Sequence, residues 1–128
     1  MQQKASDHLA TAARNRTVAG LLIGEPDALP VSNEWAVVVA FYAAVHLVNA
    51  MLWERQSLEP LNHEERSRFV FRIAELRPIA QIYQRLSVNA YHARYTPEYR
   101  INSRRARQLA STDLSLIEST IVTALNRS

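Results

Sequence analysis

The nineteen residues from Trp35 to Trp53 contain no formally charged side chain, and any fold of this chain must find a place for them. The run is long enough to cross a bilayer core. His46 and Asn49 stand near its middle, however, where polar groups are costly in lipid. Amphipathic segments on both sides need an apolar partner of their own. These points favour the buried central helix of a bundle over a membrane span. Val37-Val38-Val39 alone fits a strand, but the length of the run and its alanine-rich continuation fit a helix.

The rest of the 128-residue chain supports that reading. The length suits one domain over residues 1–128. There is no cysteine, which excludes a disulfide scaffold and a thiolate metal site. Only two glycines and five prolines occur, too few for a sheet protein with many tight turns. No glycine-rich phosphate loop is present. No cofactor and no metal site are expected. Met1-Gln2-Gln3-Lys4 leads into no short apolar run, so no signal peptide is visible and a cytoplasmic location is expected.

Four or five helical segments can be drawn, and no convincing strand. The first covers about Ser6 to Ile23, capped by Ser6, with Leu9, Ala12, Ala13, Val18, Leu21 and Leu22 as its apolar positions. Gly24-Glu25-Pro26 should stop it, with a loop from Ala28 to Val31. Ser32 or Asn33 can cap a second helix reaching about Arg55. Asn62 can cap a third, with Glu64 and Glu65 at its positive end and Arg68, Arg72 and Arg77 towards its negative end. Pro78 marks a break or a fresh start. Ile79, Ile82, Tyr83, Leu86, Ala90 and Ala93 form the apolar stripe of a fourth helix ending at Thr96-Pro97. Ser103 can open a fifth, running to about Leu125. The expected architecture is all-α, an antiparallel four- to five-helix bundle.

Charge is unevenly spread. Fifteen basic and twelve acidic residues give a net charge of +3. Between Arg66 and Arg107 there are ten arginines against Glu75 and Glu98. A concentrated basic segment suits a polyanion, because neutralising phosphates releases counterions, and arginine grips phosphate with a two-pronged fork. Fourteen of the fifteen basic residues are arginine, and such usage also follows from genomic base composition. Arg66, Arg94, Arg100, Arg104 and Arg105 are the candidate RNA contacts.

Two polar constellations interrupt the apolar faces. In the second helix Tyr42, His46, Asn49 and Trp53, spaced four, three and four, form one stripe. They imply either a satisfied interhelical network or a pocket wall, with His63 as a further candidate for it. In the fourth helix Arg85 and His92 lie two turns apart on nearly one azimuth, roughly 10 Å along the axis. A histidine can move the proton of a 2′-hydroxyl or of a leaving oxygen, and an arginine can stabilise charge on a phosphorane. A solvated helix edge would show the same spacing. His63-Glu64-Glu65-Arg66 reads by default as helix-start acids beside a surface arginine. His8 has no sequence neighbour that suggests a role.

Several local patterns coincide with a known family. Trp35 to His46, followed by Leu47 to Leu52, resembles the second helix of prokaryotic HEPN-domain proteins, where an aromatic pair, small residues and a histidine recur in this order. His63 and Arg66, and Ala93-Arg94-Tyr95, are similar to other signatures of a bacterial HEPN branch. The likeness covers about residues 8 to 110. It implies a four- or five-helix bundle, often a homodimer, associated with RNA cleavage in toxin–antitoxin or defence systems, with an antitoxin or another defence protein as partner. Active members carry R-x4-6-H, two copies of which meet across a dimer as a metal-independent ribonuclease site. Arg85 to His92 meets that spacing at its upper limit, which makes this pair the candidate catalytic residues. Leu86 follows the arginine where the commoner form has a polar residue.

Three functions remain open on the sequence: a metal-independent endoribonuclease, a non-catalytic module binding RNA or a protein partner, and a ligand-binding bundle built around Tyr42, His46 and Asn49.

Overall fold

Alanine lines the buried faces of the first two helices. In the computed structural model, which describes residues 1–23 and 31–127, helix α1 (Gln3–Ile23) buries Ala5, Ala12 and Ala19, one every seven residues. It meets α2 (Ser32–Gln56), which buries Ala36, Ala40, Ala43, Ala44 and Ala50. Small side chains on both surfaces let the two backbones approach. The expected apolar face of α1 is thereby corrected: Val18 and Leu21 are exposed, and Leu9 and Leu22 only partly buried. Val18 and Leu21 lie about one and two residues off the alanine line, at 100° per residue. The helix also begins at Gln3, ahead of the Ser6 cap expected for it. The stop at Gly24-Glu25-Pro26 and the loop over residues 28–30 lie outside the described residues.

The remaining helices are α3 (His63–Arg72), α4 (Ala80–Tyr95), α5 (Ser103–Arg107) and α6 (Leu114–Asn126). A 3₁₀ segment, Ala74–Ile79, holds Pro78 between α3 and α4, and a π-helical segment, Gln108–Asp113, joins α5 to α6. No strand occurs among the described residues. The chain is an all-α helical bundle. Its direction changes follow local chemistry. Asn62 Oδ1 accepts the Glu65 backbone N–H at 2.8 Å, while Glu65 Oε1 accepts that of Leu61, so α3 starts where the sequence places it. The α4 helix stops at Tyr95, before Thr96-Pro97. Asn102 caps α5 through the Arg105 N–H.

The start of α2 differs from expectation. Neither Ser32 nor Asn33 is the cap residue; Val31 is, in the left-handed region at φ 60°, and no side chain caps the turn. Asn33 instead donates to the Ile101 carbonyl, and buried Glu34 accepts the Ile101 N–H at 2.6 Å. These residues fasten the helix start to the segment between α4 and α5, which outweighs a cap bond to their own helix.

Helix α2 is the axis of the bundle. The beginning of α1 touches its end, through Gln2 with Glu54 and Lys4 over Trp53, so the two run antiparallel. The end of α4 lies by its first half, through Arg94 and Tyr42. The final helices run in its own sense, from Asn33 near Ser103 to Arg55 at the Ala124 carbonyl. Sixteen of its 25 residues are buried, as are Tyr83, Leu86, Leu109, Leu114, Ile117 and Ile121 around it. It is long and apolar enough to cross a membrane, and 78% of its most apolar window is buried against the rest of the chain.

Candidate nucleic-acid interface

Between Glu34 and Trp53, the α2 residues that escape burial are Trp35, Val39, Tyr42, His46 and Trp53. Their spacing is four, three, four and seven, so they form one stripe along the helix. Trp35 to Trp53 spans about 27 Å at the α-helical rise. Side chains of other elements pack against and beside this stripe. Lys4 of α1 stands over the Trp53 ring at 4.1 Å. His8 of α1 meets His46, with 2.9 Å between their Nδ1 atoms. His63 of α3 packs against Phe41 and Tyr42. Arg94 of α4 donates to the Tyr42 hydroxyl at 2.8 Å and lies over the rings of Phe41, Tyr42 and Tyr95. At the Trp35 end an open pocket of about 290 Å³ is lined by Trp35, Arg94, Tyr95, Tyr99 and Arg100, among others. Trp35 and Tyr95 are more than half exposed there.

Beneath the stripe, Arg66 departs from its expected surface position. It is buried, donating from Nε to Asn49 Oδ1 at 2.9 Å and from Nη1 to His63 Nδ1 at 2.9 Å. The sequence pattern treated it as a polar helix-start residue, yet it reaches inward from the first turn of α3 to the one buried asparagine of α2. Burial, then the charges of Arg66 and Arg94, hold the His63 pKa below its ordinary value. Burial, then the neighbouring His8 and Arg66, do the same to His46. Burial pushes the Tyr83 phenol up to about 12, against the opposing effect of the neighbouring Arg66 guanidinium. Glu59 contacts Lys4 and His8 of α1. Hydrogen bonding and charge from Lys4 hold its carboxyl below the usual range, and it lies 3.5 Å from His8 Nε2.

The pair Arg85 and His92 occupies the edge of the core, as their stripe requires, but each is committed elsewhere. Arg85 donates from Nε and Nη2 to both oxygens of Asp113, at 3.0 to 3.2 Å, and Asp113 is buried within the π-helical segment. His92 Nδ1 lies 2.9 Å from Thr96 Oγ1, with its ring against Tyr91 and Tyr99. Asn89, between them, donates to the Arg85 carbonyl and accepts from the Tyr99 hydroxyl. Leu86 is fully buried, as its place on the apolar stripe implies. Within one chain Arg85 and His92 have no shared partner.

The other basic candidates divide. Arg94 packs beside the stripe. Arg100 is exposed and lines the Trp35 pocket, donating to the carbonyls of Pro97 and Tyr99. Arg104 is exposed on α5, and Arg105 donates to Gln108. Of the expected pocket, Tyr42, His63 and, through Arg66, Asn49 come together, whereas His46 turns to His8. Sequence reasoning missed His8, Lys4, Trp35 and Tyr99 as site residues. For Trp35 a signal existed, since it sits seven residues before Tyr42. For the others none did, because their partners are 10 to 49 residues away in the chain. No group of three or more metal-ligating side chains occurs among the described residues. Comparison with known proteins finds no matching family model, curated relative or solved structure.

Proposed function

We propose that this chain is an RNA-directed helical module that holds a single strand along the open stripe of α2. The observation that carries the reading is the stripe itself: Trp35, Tyr42 and Trp53 along it, with Lys4, Arg94 and Arg100 beside it. Aromatic faces stack on bases of any sequence, and cations along the same stripe follow the phosphates. The resemblance to HEPN proteins points in the same direction. Arg85 and His92, each held by another partner, support binding over cleavage.

Cleavage is the second reading, favoured by one observation. Val88, Tyr91 and Tyr95 are exposed along the outer face of α4 beside His92. A second copy covering that face would bring two His92 rings near each other, as a homodimeric ribonuclease requires.

Fluorescence anisotropy with a labelled single-stranded RNA tests the proposal. Expected is binding that weakens with salt, with a slope of about −2 in log K against log salt for three phosphate contacts. Trp35→Ala should weaken it. No binding at low salt would remove the reading, and capture of a protein partner at the same stripe would replace it. Incubation of the RNA in EDTA, with His92→Ala as control, tests the second reading.

A further inference from the structure

Among the described residues, Arg66 and Arg94 take part in no ion pair with a carboxylate. For Arg66 this is unusual, because it is only 7% exposed and buried cations are ordinarily matched by an anion. Its hydrogen-bond acceptors, Asn49 and His63, are both neutral groups. The Tyr83 phenol does not serve as its counter-ion, since at about 12 it keeps its proton.

The donor inventory sharpens the point. Arginine has only donors. Arg66 Nη1 therefore donates to His63 Nδ1, and the proton of the neutral imidazole sits on Nε2. Arg94 uses Nε on the Ala90 carbonyl and Nη1 on the Tyr42 hydroxyl, and among the described residues Nη2 has no hydrogen-bond acceptor. The Tyr42 hydroxyl, accepting from Arg94, retains its own proton to donate. The His63 ring and the Arg94 guanidinium thus both lie against the Phe41 and Tyr42 rings, with no carboxylate paired to either arginine among the described residues, and Arg66 adds its charge to the same cluster.

We infer that His63 Nε2, Arg94 Nη2 and the Tyr42 hydroxyl, backed by buried Arg66, form a binding site for a phosphate oxyanion. The choice of phosphate among oxyanions rests on the RNA-strand reading, because the cluster stands beside that stripe. The phosphate comes either from a strand end or from the backbone of a bound strand. Clustered N–H and O–H donors on an electropositive ground suit either one.

His63 itself reports on occupancy. An anion held beside the ring favours its protonated form and offsets the two guanidinium charges. In an NMR titration of the full chain, inorganic phosphate should raise the His63 pKa by about 1 relative to chloride at equal ionic strength. Arg94→Met, a half-buried position whose loss leaves the core intact, should abolish that rise, and Tyr42→Phe should reduce it. A 5′-phosphorylated oligoribonucleotide that binds about tenfold more tightly than its 5′-hydroxyl twin assigns the site to a strand end. Equal affinity, with the same rise at His63, assigns it to the backbone. An unchanged His63 titration in phosphate, or a rise that persists in Arg94→Met, overturns the inference. If RNA still binds in that case by anisotropy, the RNA-strand reading survives it. If RNA fails to bind while phosphate still moves His63, the oxyanion site stands and the RNA-strand reading falls.

Discussion

Arg85 and Arg94 lie nine residues apart on the same helix and meet opposite surroundings. Arg85 forks onto Asp113, a buried carboxylate, and Asn89 and Tyr99 complete a closed set of donors and acceptors beside it. Arg94 reaches a phenol, a carbonyl and three aromatic faces, and neither it nor Arg66 beneath has a carboxylate among the described residues. One arginine completes the fold; the other keeps its positive charge with no carboxylate partner among the described residues. The lesson is that an arginine's role is set by whether the fold supplies its anion. Position in a motif says less, because the same side chain serves both ends.

The closed end gives the largest predicted effect. Arg85→Ala leaves Asp113 buried without its partner, and stability should fall by about 3 kcal/mol, read from the urea midpoint. Replacing the pair together, Arg85→Met with Asp113→Leu, should recover much of that loss. If Arg85→Ala instead leaves stability unchanged and alters only RNA binding or cleavage, the two ends are not different in kind.

At the open end, Trp35→Ala and Tyr95→Ala should each weaken RNA binding by about 1–3 kcal/mol, a factor of roughly 5 to 150. Both side chains are more than half exposed, so the melting temperature should barely move. A large drop in stability with unchanged affinity would make them packing residues.

A pH effect follows from the histidines. The pKa values of His46 and His63 are held below 6.5 in the folded chain. Below pH 6.5 the unfolded chain therefore takes up protons that the folded one resists. Their contribution to stability is complete above about 6.5 and declines as pH falls towards the folded values, beyond which it levels off. The 2.9 Å contact between His8 and His46 needs one donor and one acceptor nitrogen, so charging both rings opposes it. Urea unfolding between pH 7.5 and 5 should show the decline, and His46→Gln should flatten it. A slope unchanged in that variant removes His46 as its source.

The smallest effect concerns the cap that aims the open cluster. Asn62→Ala removes the bond to the Glu65 N–H and should cost about 1 kcal/mol. Because His63 and Arg66 stand in the first turn of α3, the His63 resonances should shift as well. A stability loss with unmoved His63 signals would separate the cap from the cluster.

Much of the architecture was legible from residue order. The uncharged run from Trp35 marks α2, Asn62 with Glu65 marks the start of α3, and Thr96-Pro97 marks the end of α4. Each of these is a local cause, acting within a turn or two of helix. The face of α1 was misjudged because Val18 and Leu21 weigh more in any apolar pattern than alanine does. The packing rewards alanine, since only a small side chain permits close approach to α2. The site was half legible: Tyr42, His46, Asn49 and Trp53 share a visible period, but the period cannot say which of them faces outward.

Hydrophobic spacing, capping residues and the absence of charge along α2 settled by themselves that this chain is a helical bundle, because such signals act between near neighbours in the chain. Tertiary structure alone decided that Asp113 goes to Arg85, that His8 meets His46, and that Arg66 lies buried with no carboxylate partner among the described residues. Those outcomes depend on which side chains of distant helices come within a few ångströms, and the strength of an electrostatic or hydrogen-bonding contact is set by that distance and by burial, neither of which is written in the order of the residues.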